Sequence, residues 1–145
     1  MKLNSDGPAR TEEIGYELGK RLKAGDTVAL FGDLGSGKTT LTRGIARAFG
    51  ISGRDVTSAS FTIIAEYPGE PPFFHIDLYR IENEEDLEGA GVWDCLGRDS
   101  VAVVEWADKL GGGLGNCIRV ELANRGDDRR EISIEGLDEE DRNNL

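Results

Sequence analysis

The chain has 145 residues, 31% of them charged, and its 28 acidic residues outweigh 17 basic ones to leave a net charge of −11. One domain is the natural expectation at this length. An overall field of this sign repels a polyanion, which argues against a protein that grips RNA or DNA on its own and points to one focused anion site plus protein partners.

The segment Met1–Asp6 has no apolar core of a secretory leader, and no apolar run approaches the roughly 18 residues of a membrane span, so a cytoplasmic protein is expected. Thr11 followed by Glu12 and Glu13 reads as a helix N-cap with acids in the first turn. Ile14, Leu18 and Leu22 then recur every four residues until Gly25. Thr27–Phe31 is a short apolar run of the buried-strand type.

Residues 32–39, Gly-Asp-Leu-Gly-Ser-Gly-Lys-Thr, form a complete G-x-x-x-x-G-K-S/T phosphate-binding loop. Its glycines let backbone N–H groups converge on phosphate oxygens. Lys38 offers a point charge to the β- and γ-phosphates, and the Thr39 hydroxyl suits a Mg²⁺ ligand. Asp33, Gly35, Ser36, Gly37 and Thr40 complete the expected cradle. A helix follows, with Leu41, Ile45, Ala48 and Phe49 on one face and Gly50 as its stop. No N-K-x-D segment of the GTP-binding type is present, which favours ATP.

Val56–Tyr67 is rich in β-branched and aromatic residues and reads mostly as strand. The turn cluster 68–72 leads into a second strand, Phe73–Asp77, in an antiparallel hairpin. Ser58 and Ser60 lie where many such proteins carry a hydroxyl that senses the γ-phosphate, although a turn held by hydroxyl–backbone bonds explains them as well. His75, the one histidine, reads as a satisfied core or edge residue ahead of a general base. Arg80 can meet a phosphate or pair with Glu82 or Glu84. Asn83 caps a short acidic helix. Val101–Val104 is a buried strand, and Glu105 projects from its end as Asp77 does from its own. Beside a phosphate loop, both acids are candidates for holding a metal or positioning water. Trp106 is either a hydrophobic cover or a lid. Gly111–Gly115 is a flexible connector. Residues 118–122 and 131–134 alternate as half-buried strands, and 138–145 form a frayed tail. Cys95 and Cys117 lack metal-site spacing and read as core thiols of a reducing compartment. The expected fold is α/β, a single P-loop NTPase-like domain with a small mixed sheet flanked by helices, covering residues 1–136 with a polar tail at 137–145.

The loop Gly32–Thr40 resembles the G-D-L-G-A/S-G-K-T-T element of the TsaE (YjeE) family. Residues 58–62 look like its S-P-T-F-T/S, His75–Arg80 is similar to its H-x-D-L-Y-R, and Val104-Glu105-Trp106 to its I/V-E-W. The resemblance spans about Thr11 to Ile134. It implies a bacterial Mg²⁺-dependent ATPase that supports formation of threonylcarbamoyladenosine beside the tRNA anticodon, working with TsaD-like and TsaB-like proteins that hold the tRNA. It further implies that Lys38 holds phosphates, that Thr39 and Glu105 bind Mg²⁺, and that Asp77 positions metal-bound water or the nucleophile. Thr11 matches the family's N-terminal T-x-x-I/L-G/A element near the nucleotide, and Arg130, with Arg129 as the alternative, matches its C-terminal nucleotide-contacting arginine. Ala59-Ser60 departs from the family's Pro-Thr, and slower basal hydrolysis or weaker coupling is expected from it. A small-molecule kinase and a nucleotide-dependent switch without turnover are the competing readings.

Overall fold

The computed structural model describes residues 1–56, 63–143 and 145. Seven strands form one sheet: β1 (Lys2–Ser5), β2 (Thr27–Phe31), β3 (Ile64–Tyr67), β4 (Phe73–Asp77), β5 (Val101–Glu105), β6 (Ile118–Asn124) and β7 (Arg130–Glu135). Their order is β1-β7-β6-β2-β5-β4-β3. The four neighbours β6, β2, β5 and β4 run parallel, while β3, β7 and β1 are added antiparallel at the flanks. The mixed sheet and the β3–β4 hairpin are as the sequence leads one to expect, but β3 begins only at Ile64, and Val56 and Ile63 of the expected Val56–Tyr67 strand lie outside it. Ser58, Ala59 and Ser60 lie outside the described residues.

The central strands have two apolar faces because helices cover both sides. Val28, Leu30, Val101 and Val103 point to one core, closed by Ile14 and Leu18 of α1 (Pro8–Gly19) and Leu41 and Ile45 of α2 (Lys38–Ala48). Ala29, Ala102, Val104 and Ile76 point to the other, closed by Leu87 of α3 (Glu84–Ala90) and by Val92, Ala107 and Leu110. Asn83 caps α3, its Oδ1 accepting from the Asp86 N–H at 2.9 Å. The tail carries a short helix, α4 (Glu139–Asn143), and both Leu137 and Leu145 pack on the first core. Part of the glycine-rich connector is wound into 3-10 turns over Ala107–Gly113.

Two expectations at the N-terminus need correction. Thr11 is not a helix cap: α1 begins at Pro8 with Gly7 before it, since proline is already bent to the helical φ and has no N–H to satisfy. The helix also ends at Gly19, well before Gly25. Strand β1 was not legible, because Leu3 is its only apolar residue and four residues carry no periodicity; its pairing with β7 is what makes it a strand.

The α1–α2 contact depends on glycines. A Cβ on Gly15 would lie 2.2 Å from the Leu41 carbonyl oxygen, and one on Gly44 would lie 2.0 Å from that of Glu12. The helix backbones therefore touch directly, and α2 is held against α1 immediately behind the phosphate loop. Gly44→Ala should cost about 3 kcal/mol of unfolding free energy in urea titrations, at the upper end of overpacking penalties. Gly89→Ala, in open space on α3, should instead be neutral or stabilising by up to about 1 kcal/mol.

Candidate active site

The parallel core sends the carboxyl ends of β2, β4, β5 and β6 to one edge of the sheet, the usual location of ligand sites in such folds. Antiparallel β7 begins at this edge with Arg130, whose register partners are Ser5 on β1 and Asn124 on β6. Residues from distant parts of the chain thus meet around a cleft of about 400 Å³.

The phosphate loop occupies its floor. Gly37 has φ 103° and hands the chain into α2, a conformation that costs a side-chain-bearing residue. Gly32 is needed for space, since a Cβ there would come within 2.7 Å of the Leu122 carbonyl oxygen. Lys38 is buried and donates to the backbone carbonyls of Gly32 and, at 2.9 Å, Asp33. Its ammonium also sits 4.1 Å from the Trp106 ring centroid. Burial pushes this lysine below its usual pKa, while the charges of Glu105, Asp77 and Asp33 pull the other way.

Thr39 donates its hydroxyl to Glu105 Oε1 at 3.0 Å. Glu105 is only 2% exposed, and its second oxygen lies 2.5 Å from His75 Nε2. Asp77 is in register with Glu105 on the neighbouring strand, and its Oδ1 accepts from the Tyr79 N–H at 3.0 Å. Trp106 holds a left-handed backbone (φ 58°, ψ 41°), rare for a bulky residue, and its ring packs against Tyr79 at 5.3 Å between centroids. Lys109 ties this corner together by donating to the carbonyls of Tyr79 and, at 3.0 Å, Ile81. Trp106 therefore packs over the lysine and lines the cleft.

At the opposite end, Arg130 Nε donates to the Ser36 carbonyl and its Nη2 to that of Gly35, each at 3.0 Å. Of the two candidate arginines, Arg130 is the one that reaches the loop. Thr11 lines the cleft from within α1 and shares a 2.7 Å hydrogen bond with Ser5 Oγ. Gly35, Gly37, Thr40 and Arg80 also line it, whereas Asp33 is exposed and Ser36 is buried behind the lining. Pro8 and Asp128 line the cleft without having been anticipated, because Pro8 reaches it from the start of α1 and Asp128 from the β6–β7 turn, both set by tertiary packing. Burial pushes both cysteine thiols up, away from reactive thiolate, in keeping with core roles.

The donor set fits Mg²⁺. Two carboxylates and a hydroxyl are hard oxygen donors, and among the described residues Lys38 is the only buried lysine, so a cation beside Asp77 and Glu105 would offset their repulsion of an incoming polyphosphate. Among the described residues no cluster of three His, Cys, Asp or Glu side chains could cage a metal alone. Mg²⁺ characteristically takes one or two carboxylates and completes its shell with phosphate oxygens and water.

The family model of the threonylcarbamoyl adenosine biosynthesis protein TsaE matches residues 5–132. The chain belongs to the TsaE family. Among its relatives, the tRNA threonylcarbamoyladenosine biosynthesis protein TsaE of Bacillus subtilis is 39% identical over 137 residues, covering 92% of this chain and 84% of that protein. The protein of the same name from Treponema pallidum is 32% identical, over 92% of this chain and 99% of its own length. The crystal structure of Bacillus subtilis YdiB superposes with a TM-score of 0.77 at 33% identity, covering 99% of this chain and 90% of that one. No helix among the described residues of this TsaE-family chain is long and apolar enough to cross a membrane.

Arg130 bridges two loop carbonyls with a charged donor, and such hydrogen bonds are worth about 1.5–3 kcal/mol each. Arg130→Gln should raise amide hydrogen exchange at Ser36, whose N–H donates to the Asp33 carbonyl, by at least about tenfold, leaving exchange in β2 and α1 unchanged.

Proposed function

We propose that this chain is a Mg²⁺-dependent ATPase serving threonylcarbamoyladenosine formation in tRNA, whose hydrolysis supports turnover of a TsaD-like transferase in a complex with a TsaB-like protein. The observation that carries the reading is the meeting of Lys38, Thr39, Glu105 and Asp77 in one cleft, with Thr39 and Glu105 already hydrogen-bonded to one another. The relatives' shared name supports the pathway, and the charge of −11 suits a subunit that leaves the RNA to its partners.

In this reading the loop amides of residues 35–39 and the positive end of α2 receive the phosphates. Lys38 exchanges its bonds to Gly32 and Asp33 for the β- and γ-phosphate oxygens, and the Trp106 ring shields it from water. Thr39 and Glu105 would hold Mg²⁺, which when bound would neutralise charge developing on the phosphate oxygens. Donation from Thr39 to Glu105 leaves the hydroxyl lone pairs available for that cation. Asp77, beside Glu105, accepts hydrogen bonds from the attacking water and orients it. Arg130 keeps the loop in shape, and Thr11 and Pro8 border the nucleoside end.

Lys38→Ala should retain the fold by circular dichroism, while phosphate release and modification by the reconstituted complex fall by at least about 100-fold. Modification sustained over many turnovers by that variant would overturn the ATPase reading. Phosphate released only with partners present supports it. A phosphorylated metabolite would make the chain a kinase, and nucleotide binding with no phosphate release under any condition would make it a switch.

A further inference from the structure

His75 is 3% exposed and does not line the cleft, so it cannot touch nucleotide or attacking water as a general base would. Its Nε2 nevertheless lies 2.5 Å from Glu105 Oε2. We infer that His75 is a positioning residue that fixes the Glu105 carboxylate for its cation from beneath the cleft; this rests on the Mg²⁺ reading of Glu105 proposed above.

The sheet creates the contact. His75 pairs with Val103 and Asp77 with Glu105, so His75 is the diagonal neighbour of Glu105 on the same face of β4 and β5. Away from the cleft that face is apolar, carrying Phe73, Val101 and Val103 into the first core. An imidazole in such surroundings costs free energy unless it is hydrogen-bonded, and an aliphatic side chain would pack there without that cost. The carboxylate gains what the core gives up. The terminal torsion of a glutamate is soft and roughly two-fold. With Thr39 donating to Oε1 and His75 to Oε2, both oxygens are held and the plane of the group is set. A carboxylate that holds a cation has no proton to give, so the imidazole N–H is the donor. Each oxygen keeps a further lone pair for the metal shell. Partners of this kind, one step removed from the ion, commonly govern metal affinity by 10–100-fold.

Binding of adenylyl imidodiphosphate, measured by calorimetry with magnesium titrated from EDTA to saturation, tests this without turnover. His75→Leu should raise the magnesium concentration for half-maximal tightening by at least about tenfold while affinity in EDTA changes by less than about twofold. His75→Gln, which can place an amide N–H near the Nε2 position, should restore magnesium dependence to within about threefold of the wild type; His75→Asn, too short to do so, should not. Should the leucine variant fail to fold, the Gln–Asn pair decides, and equal behaviour of the two overturns the inference. A change of the same size with and without magnesium would mark a purely structural histidine and also overturn it. Wild-type binding that ignores magnesium would overturn both this inference and the Mg²⁺ reading, whereas a normal wild type with an unaltered His75→Leu overturns this one alone.

Discussion

Parallel pairing of β2 with β5 brings the phosphate loop and Glu105 to the same end of the sheet. Residues 75 positions apart become neighbours there, with Leu30 opposite Glu105. From there the phosphate loop turns into α2 and presents Thr39, while β5 presents Glu105, and the 3.0 Å hydrogen bond between them closes the junction. Insertion of β5 between β2 and β4 then sets Asp77 beside Glu105.

The second constraint is the backbone contact of α1 and α2. Gly15 and Gly44 bring the helices closer than any side chain permits, and Gly19 continues the seam. This buries the helix that carries Lys38 and Thr39 against a firm support and brings Thr11 and Pro8 to the cleft. Close contact costs helix propensity at three glycines and is offset by apolar burial of Ile14, Leu18, Leu41 and Ile45. The loop is tethered from the other side by Arg130, so the cradle is held before any phosphate arrives. Such preorganisation reduces the ordering cost of binding.

Electrostatically the cleft is divided. Lys38 and Arg130 lie along the loop, while Glu105 and Asp77 close one end. Lys38 is occupied by the Gly32 and Asp33 carbonyls and by the Trp106 ring, which satisfies a buried ammonium that would otherwise be costly. The rim is less self-satisfied: Leu34 is 79% exposed at the tip of the loop and Tyr79 is 53% exposed beside Trp106.

The phosphate loop, its flanking strand and helix, the β3–β4 hairpin, the α3 cap and the candidacy of Asp77 and Glu105 were all legible in the sequence. Each is written in local pattern: apolar runs, turn residues, a capping asparagine, or glycines at fixed spacing. Local pattern misplaced the start of α1 and missed β1, because proline geometry overrode Thr11 and strand pairing made a strand of four residues of which only Leu3 is apolar. It likewise could not assign Arg130 over Arg129, or show that His75 lies under Glu105 and Trp106 over Lys38. Those relations join strands and loops distant along the chain, and they exist only once the register of the sheet has brought their side chains to the same edge and the same face.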